Sequence, residues 1–144
     1  DYCNGILQSI SAANINKLPK AQNTLARLVV GSRRNEHITP VLKKLHWFPV
    51  RKRITFKIAT LTHKVRTTQQ PAYLASLINS YEPERALRLS SAGLLAVPRT
   101  RTALASRAFS VCAPVIWNSL PQNIREITSI SGFKRSLKTH FFCL

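Results

Sequence analysis

The chain contains no methionine, one aspartate (Asp1) and four glutamates (Glu36, Glu82, Glu84 and Glu126). General acid–base chemistry and divalent-metal binding draw on clustered carboxylates, and no two acids here lie close together except Glu82 and Glu84, on either side of Pro83. Asp1, as the lone aspartate, is a poor third member for a Ser-His-Asp site. The four glycines, Gly5, Gly31, Gly93 and Gly132, are too scattered to form a phosphate-cradling loop. Cys3, Cys112 and Cys143 are odd in number and far apart, which fits free thiols in a reducing compartment, nucleus or cytoplasm, better than a disulfide framework. Among His37, His46, His63 and His140 only His140-x-x-Cys143 has a metal-ligand spacing, and one such pair alone is a weak signal. No catalytic residue, metal or cofactor is therefore expected. The longest nearly apolar stretch, Ala108 to Trp117, carries Ser110 and Pro114 and falls far below the roughly 18 residues of a membrane span, so no membrane partner is expected. The missing methionine, and an Asp1 that leads straight into Tyr2-Cys3-Asn4-Gly5-Ile6-Leu7, read as the carboxyl-terminal portion of a longer protein.

What the chain has in excess is positive charge. Its 144 residues carry 22 Lys and Arg against those five acids, a formal charge of +17, which is the balance of a protein that binds a polyanion. A hydrophobic content of 44% sets it apart from a basic tail, and a chain of this length buries very roughly 68–70% of its unfolded surface. One domain, or two small helical lobes, is expected.

The apolar periodicity is helical over most of the length. Ile15, Leu18, Leu25, Leu28 and Val29 recur at helical spacing before Gly31, with Pro19 marking the proper start. Thr39-Pro40 reads as an N-cap followed by proline at the first helical position, opening a short helix with Val41, Leu42 and Leu45 inward. Beyond Pro49, the residues Val50, Ile54, Ile58, Leu61 and Val65 fall within a stripe about 80° wide, the clearest amphipathic helix in the sequence. Pro71 opens a short helix that buries Leu74, Leu77 and Ile78. Over 87–97 the pattern changes to a small β-hairpin with Ser90-Ser91-Ala92-Gly93 as its turn. Helices then follow from Arg107 to Leu120, despite Pro114, and after Ser131 with Phe133, Leu137 and Phe141 on one face. The expected fold is mainly α: a small helical bundle over 1–70, then a region over 71–144 with the hairpin and terminal helices.

Between Glu36 and Glu82 there are eight basic residues and no acid: Lys43, Lys44, Arg51, Lys52, Arg53, Lys57, Lys64 and Arg66. On the Val50–Arg66 helix, Arg53, Lys57 and Lys64 line one border of the apolar stripe, while Arg51, Lys52 and Arg66 lie beyond the other. A helix docked by that stripe presents phosphates with a cationic flank; a solvated helix face is the simpler alternative. A second acid-free interval, Arg85 to Arg125, includes Pro98-Arg99-Thr100-Arg101-Thr102, in which alternating Arg and Thr suit an extended strand contacting phosphates, or equally an edge strand protected by charge. The aromatics coincide mostly with core positions. Phe56 projects away from its helix's stripe, either to stack on a base or, more simply, to pack on a neighbouring helix.

The wording of several segments adds to this. His37-Ile38-Thr39-Pro40-Val41-Leu42-Lys43-Lys44-Leu45-His46-Trp47-Phe48-Pro49-Val50-Arg51-Lys52-Arg53-Ile54, Pro98-Arg99-Thr100-Arg101, Arg107-Ala108-Phe109-Ser110-Val111 and Ala113-Pro114-Val115-Ile116-Trp117-Asn118-Ser119-Leu120-Pro121 resemble, in order, the carboxyl-terminal region of LINE-type (non-LTR) retrotransposon reverse transcriptases, as do Asp1-Tyr2-Cys3-Asn4 and the closing Phe133-Lys134 through Phe141. The resemblance implies an upstream endonuclease and a fingers–palm polymerase whose Tyr/Phe-Ala-Asp-Asp motif is absent here, so this part does not itself polymerise DNA. It further implies that residues up to about Arg66 are thumb-like and meet a template–primer duplex, that the remainder is tail, and that the upstream palm is a partner. The zinc knuckle that ends some clades has no counterpart. The expected role is RNA or RNA–DNA duplex binding through Lys43, Lys44, Arg51, Lys52, Arg53, Lys57, Lys64, Arg66, Arg99 and Arg101; the alternatives are a module that braces the catalytic core and a relic without function.

Overall fold

A computed structural model describes residues 4–83 and 93–143, and it is mainly helical. A 3-10 helix, Asn4–Ser9, leads into α1 (Ala12–Ile15) and α2 (Lys17–Val30). These are followed by α3 (Ile38–Lys44), α4 (Val50–Thr68), α5 (Ala72–Ala75), a 3-10 turn (Ala105–Arg107), α6 (Phe109–Asn118), α7 (Gln122–Arg125) and α8 (Ile130–Cys143). The central element is α4, which packs against the first 3-10 helix, α6 and α8.

Local chemistry sets the boundaries. Gly31 ends α2 in the left-handed conformation (φ 70°), and its N–H returns to the Arg27 carbonyl. α3 begins earlier than expected: His37 holds the N-cap position, its ring accepting from the Thr39 N–H at 3.4 Å, and Pro40 falls at the third helical residue. That placement is tolerated because no N–H of the first turn has an intrahelical partner for proline to forfeit. α6 continues through Pro114, forgoing one i→i−4 bond, because Val111, Cys112, Ala113, Pro114, Ile116 and Trp117 are all buried and tertiary packing holds it helical. α5 is one turn only; Leu74 and Ile78 are half-buried, but Leu77 is exposed.

Ile54 and Ile58 of α4 share one apolar cluster with Ala113, Trp117, Phe133 and Leu137, so the core spans both sides of residue 70. The expected stripe on α4 is inward, with Ile54, Ile58 and Val65 buried and Val50 and Leu61 half-buried. Phe56 packs against this core and lies 5.8 Å from the Phe48 ring, which gives it a structural role.

α2 departs from expectation. Its buried residues are Gln22 and Ala26, whereas Leu18, Leu25, Leu28 and Val29 remain exposed. Two contacts hold that rotation: Ala26 packs with Val41 and Leu42 of α3, and the Gln22 side-chain amide donates to the Phe48 carbonyl at 2.7 Å. Residues 87–92, the first strand and most of the turn of the expected hairpin, lie outside the described residues. The described part contributes one isolated antiparallel bridge, Ser80 to Leu95, where Tyr81 N–H reaches the Leu94 carbonyl and Ala96 N–H the Asn79 carbonyl.

Candidate nucleic-acid interface

α4 is enclosed on most of its circumference, and its cations are sorted by what surrounds them. Lys57 and Lys64 are exposed on one ridge two turns apart, about 10 Å along the axis, with Thr60, Thr67 and Thr68 around them. Arg53, at the upper end of that ridge, is half-buried and donates its Nε to the Phe48 carbonyl at 3.1 Å. On the other side, Arg51 donates to Asn16 Oδ1 at 3.0 Å. Lys52 donates to the Phe141 carbonyl at 2.9 Å, which satisfies one of the orphan carbonyls at the end of α8 and places a cation at the negative end of its dipole.

Arg66 serves the core. Its guanidinium lies over the Trp117 ring, 4.7 Å from the centroid, and the indole also stacks with Phe133, centroids 5.8 Å apart. Burial lowers the basicity of Arg66, and the charge of Arg125 lowers it further. Position 93 favours glycine for its left-handed φ of 60°, and a Cβ there would sit 3.8 Å from the Arg66 guanidinium.

The Arg99–Arg101 segment has no strand character: Ala96 to Thr100 is irregular, Arg101 and Thr102 form a bend, and all except Ala96 are exposed. Neither extended-strand expectation holds, because Pro98 has no N–H for a ladder and the Thr102 hydroxyl is turned to the Ala105 N–H, at 3.1 Å, to start the 3-10 turn. Just before it the chain is clamped to α6. Trp117 Nε1 donates to the Gly93 carbonyl at 3.0 Å, and Asn118 pairs both backbone groups of Leu95, accepting from its N–H at 2.9 Å and donating to its carbonyl at 2.8 Å. Asn118 thus replaces a strand neighbour. Asn118→Ala should cost about 1–3 kcal/mol in urea unfolding, because two part-buried backbone groups lose their partner, and should speed amide exchange at Leu95. Asn118→Asp keeps the acceptor for the Leu95 N–H but sets a carboxylate oxygen against the Leu95 carbonyl, and should be no milder.

Of the ten residues expected at the interface, Lys43, Lys44, Lys57, Lys64, Arg99 and Arg101 are exposed and have no hydrogen-bond partner among the described residues. Lys43 and Lys44 end α3, and Lys43 shares a groove of about 320 Å³ with Lys52, Trp47 and Phe141. Arg51, Lys52, Arg53 and Arg66 all have internal partners. Neither the Asn118 clamp nor the Arg66–Trp117 stack is legible in the local pattern, since both depend on which face of α6 meets its neighbours.

Among the described residues no group of His, Cys, Asp and Glu is placed to hold a metal ion, and no helix is long and apolar enough to cross a membrane. Cys112 is buried, and burial pushes its thiol pKa up, away from the thiolate needed of a nucleophile. Comparison with family models, curated proteins and solved structures finds no match to this chain.

Proposed function

We propose that this chain is the non-catalytic carboxyl-terminal region of a LINE-type reverse transcriptase and that it holds an RNA template or RNA–DNA duplex through phosphate contacts, working in the nucleus or cytoplasm beside the palm of its parent protein. The observation that carries the binding role is the set of six exposed cations, Lys43, Lys44, Lys57, Lys64, Arg99 and Arg101, that have no internal hydrogen-bond partner in a chain of charge +17. Charges already engaged with carbonyls or rings cost energy to redirect; these do not. The attachment to LINE elements rests on the ordered motifs alone. Phosphate contacts of this kind fix register and orientation with little base reading, and their strength comes from counterions released by each neutralised phosphate.

Fluorescence anisotropy against an RNA–DNA duplex and a single-stranded RNA, over a salt series, tests it. Lys43→Gln, Lys44→Gln, Lys57→Gln and Lys64→Gln together should weaken binding to every sequence and reduce the slope of log affinity with log salt by about 3–4, at roughly 0.9 per contact on a duplex. An unchanged slope would reject these lysines as the contact. A module that only braces the polymerase predicts weak binding that salt does not alter.

A further inference from the structure

The exposed face of α2 is the least expected feature of the fold. Placed on a helical wheel, Gln22 and Ala26 define the buried side, and Val29, Leu18, Leu25, Ala21 and Leu28 cover the next arc of about 100° without a break. Leu25 is 54% exposed, Val29 62% and Leu28 79%. Beside this arc lies a groove of about 540 Å³ floored by Leu18, Leu25, Trp47, Phe48 and Val50. Single exposed leucines need no explanation, but a contiguous apolar face that borders a groove with aromatic walls marks an interaction site.

The surrounding charge identifies the occupant. Lys17 borders the arc on its open side, and His46 and Arg53 line the groove on the other. α2 contains Lys17, Lys20 and Arg27 and no acid, and between Asp1 and Glu36 the sequence has no carboxylate at all. An apolar floor bordered by the charges of Lys17 and Arg53, with no carboxylate nearby in sequence, complements a helix with an apolar stripe flanked by Asp and Glu. A second copy of this chain offers the wrong chemistry, since its own α2 face is equally cationic and the whole chain has five acids. A nucleic acid would satisfy the rim but leave four aliphatic side chains against water or phosphate.

We infer that the α2 face and the adjoining Trp47–Phe48 groove are the docking site for an acidic amphipathic helix of a protein partner. The partner's apolar residues, at i, i+3, i+4 and i+7, seat along Leu18, Leu25, Leu28 and Val29 while its carboxylates meet Lys17 and face the positive charge of Arg53, whose Nε stays on the Phe48 carbonyl. This site does not depend on the nucleic-acid role, because the lysines proposed to meet phosphate lie on α3 and α4.

The test is an anisotropy titration of the full chain with a labelled peptide of about 15 residues, Leu at the four anchor spacings and Glu elsewhere, alongside a scrambled peptide of the same composition and a peptide with every Glu replaced by Lys. One-to-one binding is expected, weakened at least about tenfold by scrambling, by the Lys replacement, and by Leu25→Gln with Leu28→Gln in the chain. Both leucines are exposed, so the double variant should keep the parent's circular dichroism and melting midpoint. The two peptide controls need no variant at all. Equal affinity for the scrambled peptide, which would reduce the site to charge alone, overturns the inference, as does equal affinity for the Lys peptide or no binding of any peptide. It is also overturned if the double variant loses RNA binding while peptide binding is unchanged, or if the face is occupied by self-association that the double variant abolishes in sedimentation. Loss of RNA binding in the lysine variants, with peptide binding intact, leaves the two sites separate.

Discussion

Trp117→Ala should be the most destabilising single substitution in this chain, lowering unfolding free energy by about 3–5 kcal/mol. Trp117 is 1% exposed and is in contact on every side. Phe133 stacks with the indole at an interplanar angle of 19°, the Arg66 guanidinium lies over the ring, His63 lies 6.3 Å away, and Nε1 donates to the Gly93 carbonyl. Truncation therefore opens a cavity, removes the ring beneath a half-buried cation and releases the chain that leads to Arg99. Against a total stability of roughly 5–15 kcal/mol for an ordinary domain, that loss is a large fraction. Trp117→Phe keeps the stacking and gives up the N–H donor and part of the volume; it should lose less, about 1–2 kcal/mol. Val115→Ala, two residues earlier on the outer side of α6, should stay within about 0.5 kcal/mol. Urea denaturation with unchanged m-values checks all three. A Trp117→Ala midpoint close to that of Val115→Ala would show that this region of the core is not closely packed.

The mainly helical fold was legible because α4 and α8 each carry one unambiguous stripe: Ile54, Ile58 and Val65 on the first and Phe133, Leu137 and Phe141 on the second are all buried. α2 was legible as a helix but not in its rotation. Periodicity reports where apolar residues lie, not whether anything covers them, and here the buried side is the one that meets the Phe48 carbonyl through Gln22, across 26 residues of sequence, and Val41 and Leu42 through Ala26. The cationic residues divide in the same way. Charge sign and spacing marked Lys57 and Lys64 as an exposed ridge, but Lys52 and Arg66 have the same composition signal and act as a helix-end donor and a ring contact. Their partners, Phe141 and Trp117, come from the distant carboxyl-terminal half, beyond the reach of any local pattern.

Acidification below about pH 6.5 should destabilise the fold, and His63 should be the main reason. It is 1% exposed, stacked on Phe133 with ring centroids 4.2 Å apart, and its Nε2 lies 2.6 Å from the Ile127 carbonyl. A carbonyl only accepts, so Nε2 carries the proton and Nδ1 is a bare lone pair, buried without a partner. Protonating Nδ1 places a charge and an unpaired N–H in an apolar stack. Burial is the main cause of a pKa held below the ordinary value of 6.5, the Ile127 carbonyl opposes it, and the Arg66 charge one turn away adds to it. Arg125 and Glu126 line the same small cavity with opposite charges. With the folded pKa depressed, the unfolded chain binds the extra proton first as pH falls. Stability is therefore complete above about pH 6.5 and declines below it, by at most about 1.36 kcal/mol per pH unit, until the folded pKa is reached. Acid unfolding usually depends on carboxylates, but this chain has five in 144 residues, so the histidine contribution stands out. His63→Leu removes the titration and the orphan nitrogen together and should flatten the curve between pH 7.5 and 5. Urea midpoints measured across that range decide the matter: a decline that survives His63→Leu would move the acid sensitivity to another group.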